Sequence, residues 1–470
     1  MINILKLLFA LLLIFIFSIN KLYAQNFINV RGLAMGKTSV ADSYELDAFN
    51  NNPANILKQK SNNNATVYFS AFLNINYNQN SSYLSTSFYN KYFTGGTAEN
   101  PVYLSEKDKQ DIINSASGEP VYVFANLKDV SVVYNSENSG SFGLSLEEKV
   151  AGNFILSKDF LELGLYGNEI NRVYDLSGVS HNAAWVRQLN LTYAKNFKIK
   201  NNNLIDNIAV GVSVKPQFGQ YYTTTQKNNL SVTTNNSFEI QGNGQAEFLF
   251  SSTSEDNIPT ATFKPAGFGF GFDIGMNAEL KDVSEYGRLN LGLSVNEFGY
   301  ITWTQNTNKY FYNGNFLLTD ITNKEQRDSL NEIIKNTKTV VPSFTTALPA
   351  NIRLGLSYKI FPVKNEIALK NKTLETATIS IEYIQGLSNN FSETTASILG
   401  IGGEYNISDV FCPRTGFSFG GSQGFVFSLG LGVEAGPVMI DVGTYNLSGI
   451  FNPNSTSKLS GAFSIKFKIN

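Results

Sequence analysis

Residues 267–280 read GFGFGFDIGMNAEL, and every second one of them is apolar. Phe268, Phe270, Phe272, Ile274, Met276, Ala278 and Leu280 form one set; Gly267, Gly269, Gly271, Asp273, Gly275, Asn277 and Glu279 form the other. A β-strand sends successive side chains to opposite faces, so this stretch is a strand with one apolar face and one small or polar face. The pattern recurs at 208–215, 289–296, 351–360, 424–434 (where Val426 alone intrudes) and 459–469. Strands of this length and alternation are those of a transmembrane barrel, since soluble sheets commonly use strands of about 5–6 residues. The polar face is also rich in Gly and Ser rather than Thr, Lys and Glu, which suits a crowded lumen.

Composition narrows the alternatives. The chain has 470 residues, 36 Phe, 23 Tyr, 42% hydrophobic residues and only 16% charged ones. One His and one Cys exclude a multi-histidine metal centre, a thiolate cluster and an intrachain disulfide, so neither metal nor cofactor is expected. A net charge of -2 gives no electrostatic reason to expect nucleic acid. His181, in an expected loop over 177–184, has no Gly-x-Ser-x-Gly partner motif, Cys412 precedes Pro413 in an expected periplasmic turn, and the glycines of 267–275 lead into no helix that would cradle phosphate. No enzyme is expected.

The N-terminus carries Lys6, an apolar run over 7–17 and a small residue, Ala24, which is the layout of a signal peptide over residues 1–24. An exported chain whose remaining apolar runs are too short to span as helices crosses a membrane only as a closed barrel. The expected fold is all-β: a transmembrane antiparallel β-barrel of about 14 strands, with 12 to 16 allowed. Strand starts are expected near 65, 141, 189, 208, 238, 267, 288, 351, 377, 397, 415, 425, 438 and 459, and the stretch 218–250 reads as one long hairpin or two. With a periplasmic C-terminus, 282–286 and 435–437 are periplasmic turns and 447–458 and 303–349 are external. Thr322 to Glu325 reads as a capping box before a short surface helix, and the Asn-rich runs 61–64 and 201–203 read as solvated turns.

The segment 31–55 is not strand-like. It reads RGLAMGKTSVAD over 31–42 and DAFNNNPAN over 47–55. It resembles the N-terminal hatch of the FadL-like outer-membrane barrels, a superfamily of long-chain fatty-acid transporters that also includes the PorV-type barrels of type IX secretion. Gly32, Met35, Gly36, Ala41 and Asp42 match the run before the hatch turn, and Asn52, Pro53 and Ala54 match the turn itself. Further blocks at 142–150, 167–168, 175–177, 348–349 and 436–453 resemble a Gram-negative barrel family catalogued only as a domain of unknown function. Two positions depart from the pattern: Lys37 stands where glycine is common, and the chain ends Ile469-Asn470 rather than in an aromatic residue.

The resemblance implies a hatch over residues 25–60, a barrel over 61–470 with an external insertion at 303–349, and residence in the outer membrane of a Gram-negative cell. Lys215, Asp273, Glu279, Arg353, Lys359 and Glu434 are expected to face the lumen, with Lys466 and Lys468, and to hold the hatch by polar contacts rather than to form a selectivity ring. The function expected is a hatch-gated channel or transporter for small hydrophobic molecules. The alternative is a non-transporting scaffold for a surface or secretion complex. Candidate partners are accordingly outer-membrane lipid, a small apolar ligand and such a complex.

Overall fold

The structure is a computed structural model describing residues 29–59, 67–94, 96, 103–136, 138–199, 204–254, 264–319, 325, 338–370, 375–388, 390–391, 395–408, 410–421 and 424–469. The signal peptide, the capping box at Thr322 and the Asn runs at 61–64 and 201–203 lie outside the described residues.

Fourteen antiparallel strands make a closed wall. They are β1 (Val67–Asn80), β2 (Val121–Ser136), β3 (Gly140–Ile155), β4 (Ser180–Lys198), β5 (Ile205–Asn228), β6 (Gly267–Ser284) and β7 (Gly287–Trp303). The second half is β8 (Asn351–Ile360), β9 (Ala377–Gly386), β10 (Ser397–Tyr405), β11 (Phe411–Gly420), β12 (Val426–Ala435), β13 (Val438–Thr444) and β14 (Lys458–Ile469). Each strand pairs with the next, and β14 pairs back onto β1 with Phe467 opposite Phe69 and Leu459 opposite Gln79. Closure leaves no open edge in the wall, so the main chain is satisfied within lipid.

The two faces invert the pattern of a water-soluble protein. On β6 the apolar Ile274 is 56% exposed, whereas its neighbour Asp273 is 3% exposed. Phe142 and Leu144 on β3, Leu293 on β7 and Phe463 on β14 are likewise exposed. Only lipid makes such an outer face favourable, because apolar surface in water costs roughly 25 cal/mol per Å². The fold is a transmembrane antiparallel β-barrel. Most connections at the end that holds Val67 and Ile469 are tight, the exception being 361–376 with its short helix (Asn365–Lys370), whereas the longest ones, including 304–350, lie at the other end.

Two expected strand positions are corrected. β2 was not anticipated, because a bulge between Lys128 and Val130 shifts its phase midway and its inner face carries Phe124 and Val133. The strand expected near Phe238 exists at Ile240–Ser252 but is not part of the wall. It pairs with the overhang of β5 beyond the rim and with a strand at Asn308–Leu318, forming a small sheet at the long-loop end. The two displacements cancel in the strand count. Cys412 sits inside β11 rather than in a turn, with its Sγ 3.0 Å from Asn406 Oδ1. His181 is on β4 rather than in a loop, with Nε2 2.9 Å from Thr223 Oγ1 and Nδ1 3.0 Å from Thr225 Oγ1.

The β1–β14 seam is directly testable. Antiparallel partners lie about 4.5–5.5 Å apart at Cα, within the range a disulfide spans. With Cys412 replaced by Ser, the double variant Gln79→Cys/Leu459→Cys should therefore oxidise to an intrachain disulfide. Loss of free thiol and a shifted band on a denaturing gel, reversed by reductant, would report it; two thiols that stay free in the folded protein would contradict the closure.

Candidate functional site: a plug clasped by buried charges under an apolar chamber

Residues 29–58 fill the lumen. The segment has a short helix (Val30–Ala34) and two 3-10 turns (Glu45–Ala48 and Pro53–Leu57), and nearly all its residues are buried. It is polar for a buried segment, and its asparagines account for its shape. Asn29 caps the helix by accepting from Gly32 N, and its Nδ2 donates to Asp47 O (2.7 Å). Asn52 accepts from Ala54 N at 3.1 Å, while its Nδ2 donates to Val40 O on the plug and Met276 O on the wall. Asn55 donates to Val40 O and Ser43 Oγ. Pro53, at the start of the turn, gives up an N–H that no helix bond would use.

The glycines of the inner face lie where this plug backbone touches the wall. A Cβ on Gly211 would meet the main chain of Pro53 and Ala54; on Gly275, the Asn52 side chain; on Gly292, the carbonyl of Val40. Met35 and Gly36 lie against Gly400, Gly402 and Gly416. Val426, the residue that breaks the alternation of β12, packs on Val30 and Leu33 of the plug. Lys37 holds φ 71°, a left-handed conformation that glycine adopts without cost, and its ammonium lies 4.5 Å from the centre of the Tyr445 ring.

Three clasps bind plug to wall. The first is a chain of alternating charge. Arg31 of the plug pairs with Asp42 (3.0 Å) and with Glu404 of β10 (3.1 Å). Glu404 pairs with Arg414 (2.5 Å), which pairs with Asp441. Lys466 of β14 then bridges Asp441 (2.8 Å) and Asp47 of the plug (2.7 Å). The second clasp is the Arg353–Glu382 pair (2.6 Å): Glu382 accepts from the N–H groups of Ser39 and Val40, and Arg353 donates to Asn51 Oδ1 at 2.7 Å. The third gathers Lys149, Lys215, Glu147, Asp273 and Glu297 around the amide of Asn50. Lys215 donates to Asn50 Oδ1 (2.8 Å), and Asn50 Nδ2 donates to Glu147 (2.8 Å).

Of the residues expected to face the lumen, Lys215, Arg353 and Lys466 bond the plug directly, and Asp273 does so through Lys215 (2.6 Å). Glu279, Lys359 and Glu434 do not join them. They lie towards the short-turn end and pair with Arg288, Glu375 and Lys468 respectively, with no bond to the plug among the described residues. Of the hatch residues, Asp42 and Asn52 make the polar contacts given above; Gly32, Met35, Gly36, Pro53 and Ala54 contribute backbone and close approach. The missed residues fall into two groups. Glu382, Glu404, Arg414 and Asp441 occupy inward positions of alternating strands and were within reach of the same count. Glu297 was not: it sits at a bulge of β7 with φ 57°, which turns its carboxylate inward against the alternation.

On the long-loop side of the third clasp is an apolar chamber. Trp303 stacks on Tyr222 (5.3 Å between centroids) and fills the space left by Gly219 and Gly267, with Nε1 donating to Thr346 Oγ1 at 2.9 Å. Below them, a cavity of about 20 Å³ has apolar walls (Ala151, Ala184, Val186), a roof of Leu348, Pro349 and Phe391, and a floor of Lys149, Gln188, Gln217 and Glu297. The chamber therefore rests on the network that holds Asn50. Among the described residues no cluster is suited to holding a metal ion.

Removing one member of a buried ion pair strands the other. Arg353→Met should lower stability by about 3–5 kcal/mol and release the 37–51 stretch of the plug, whereas the double variant Arg353→Met/Glu382→Gln should recover most of the loss. The unfolding midpoint in detergent and the leak current of the reconstituted barrel read the two effects. A single variant as stable as the parent would remove this clasp from the account.

Comparison with solved structures finds low-identity similarity along nearly the whole chain. The toluene transporter TbuX of Ralstonia pickettii is 12% identical, with 95% of this chain and 99% of that one covered and a TM-score of 0.48. A FadL homologue of Pseudomonas aeruginosa is 11% identical over 95% and 97% of the two chains, with a TM-score of 0.40. The toluene transporter TodX of Pseudomonas putida is 10% identical over 95% and 98%, with a TM-score of 0.35. At these scores they add nothing to the register that already closes the barrel. Among curated proteins nothing matches. The family match is of another kind, running over residues 53–444 from the plug's Asn-Pro-Ala turn to the end of β13, and by it the chain belongs to the family of unknown function DUF5723.

Proposed function

We propose that this chain is a Gram-negative outer-membrane barrel that passes small, mainly apolar molecules through its lumen when the plug shifts. In this reading residues 1–24 are a cleaved signal peptide, 25–60 a hatch and 61–470 the barrel, and no reaction is catalysed. The observation that carries it is the chamber: apolar walls at the long-loop end, set directly on the polar network that ties down Asn50. A plug needed only to stiffen the barrel has no use for such a chamber against its clasp. The route through a filled lumen requires the plug to move, and at Asn50 the plug contributes only a neutral amide, whose departure leaves no ion without its ionic partner.

A second reading, a non-transporting scaffold of the PorV kind, draws support from the sheet beyond the rim. Its strand Asn308–Leu318 exposes Phe311 and Leu317, with Val340 exposed beside it. A protein partner covering these residues would be recovered in stoichiometric amount when the barrel is purified from cross-linked outer membranes.

The two readings separate in one experiment. A strain lacking the gene should take up radiolabelled small apolar solutes several-fold more slowly than its parent, and the reconstituted barrel should conduct ions only after residues 26–58 are removed. Equal uptake over a broad apolar panel, with a stoichiometric partner recovered, would reverse the choice.

A further inference from the structure

The chamber floor contains a hydrogen-bond acceptor with no donor among the described residues. Gln188 Nε2 donates to the Glu147 carboxylate (2.8 Å) and to Asn50 Oδ1 (3.1 Å), while its Oε1 accepts from Lys149 (2.9 Å). Carboxylates only accept and ammonium groups only donate, so the orientation of the Gln188 amide is fixed. Gln217 then meets Gln188 Oε1 with its own Nε2, at 2.8 Å. Its orientation is fixed as well, and its Oε1 is left without a partner in a residue only 1% exposed that lines the cavity. An apolar ligand that displaces water from this cavity leaves the acceptor unmet, whereas a ligand hydroxyl replaces the lost hydrogen bond.

The charges beneath the floor are balanced. Lys128, Lys149 and Lys215 are matched by Glu147, Asp273 and Glu297, with Lys128 facing Glu147. An anionic or cationic ligand group would add one uncompensated charge to a buried, neutral cluster. The walls accept only apolar surface. The cavity, at about 20 Å³, is the size of one water, so a ligand enters by lifting the roof. That roof comes from two connections, tied by Leu348 N to Gly299 O and by Ser388 Oγ to Leu348 O.

We propose that the chamber binds a compact, uncharged molecule with an apolar body and one hydroxyl-type hydrogen-bond donor, which is received by Gln217 Oε1. The inference rests on the transport reading and narrows it, because it excludes both carboxylate amphiphiles and bare hydrocarbons as the preferred ligands.

Four labelled probes of one size test it by equilibrium dialysis against the full-length barrel in detergent, with protein-free micelles subtracted: p-cresol, toluene, benzoate and benzylamine. The expected order is p-cresol about tenfold tighter than each of the others, the worth of one buried hydrogen bond. Gln217→Leu, checked for a heat-modifiable band, should remove that advantage and bring p-cresol and toluene to within about twofold of each other. Toluene binding as tightly as p-cresol would overturn the hydroxyl inference and leave transport standing. Preference for benzoate or benzylamine would overturn the charge argument. Failure of all four to bind would remove both the inference and the transport reading. The panel on the parent protein decides these outcomes even where the variant fails to fold.

Discussion

A charge removed from water and from its partner is the most expensive thing a folded chain can hold; even after relaxation the cost is several kcal/mol per ion. The lumen of this barrel contains many such charges, and their pairing sets the position of everything else. The longest series runs Asp42, Arg31, Glu404, Arg414, Asp441, Lys466, Asp47 and alternates in sign at every step. It begins and ends on the plug and passes through four wall strands between. A slip of any of those strands by one residue would break it, because that strand's member would turn outward into lipid.

Such short ion-pair distances require the plug to lie against the wall, and that explains the glycines. A side chain on Gly211, Gly275, Gly292 or Gly416 would push the plug backbone away and lengthen the contacts that compensate the charges. Glycine costs a strand conformational entropy and packing. The wall carries that cost mainly on the face the plug covers, with Gly403 and Gly461 among the outward exceptions. The outer face keeps its Phe, Ile and Leu, so a single alternation meets two demands: an apolar surface for lipid and a backbone-close surface for the plug.

The alternation made most of the wall readable. β6, β8, β9 and β13 begin at the expected residues, and the inward and outward sets read for β6 and β8 are those of the structure. The count failed wherever the backbone adds a residue. The bulge at Asp129 hid β2, and the bulge at Asn296 and Glu297 hid the carboxylate that joins Lys149 to Lys215. The strand at Ile240–Ser252 alternates as a wall strand does, and only its pairing partners place it beyond the rim. Pairing itself was out of reach. Inward charges such as Arg353 and Lys215 could be recognised one strand at a time, but Arg31 and Glu404 are 373 residues apart, and nothing local in either segment points to the other.

The three clasps differ in what they leave behind when they open, which gives the plug a fixed side and a free side. At the third clasp the plug contributes only the neutral amide of Asn50; the five charges around it are all on the wall and remain paired with one another after it leaves. At the second, Arg353 and Glu382 likewise keep each other, and the plug loses neutral bonds. At the first, separation leaves Arg31 with Asp42 but takes Asp47 from Lys466, its only ion-pair partner among the described residues. A hydrogen bond between a neutral group and an ion is worth about 1.5–3 kcal/mol, whereas breaking a buried ion pair costs about 3–5 kcal/mol. On the proposed transport reading the plug therefore releases at the second and third clasps before the first, and turns about Asp47, on the side of β13 and β14. On the same reading, a ligand settling on Gln217 and Gln188 acts at the third clasp, whose opening strands no charge.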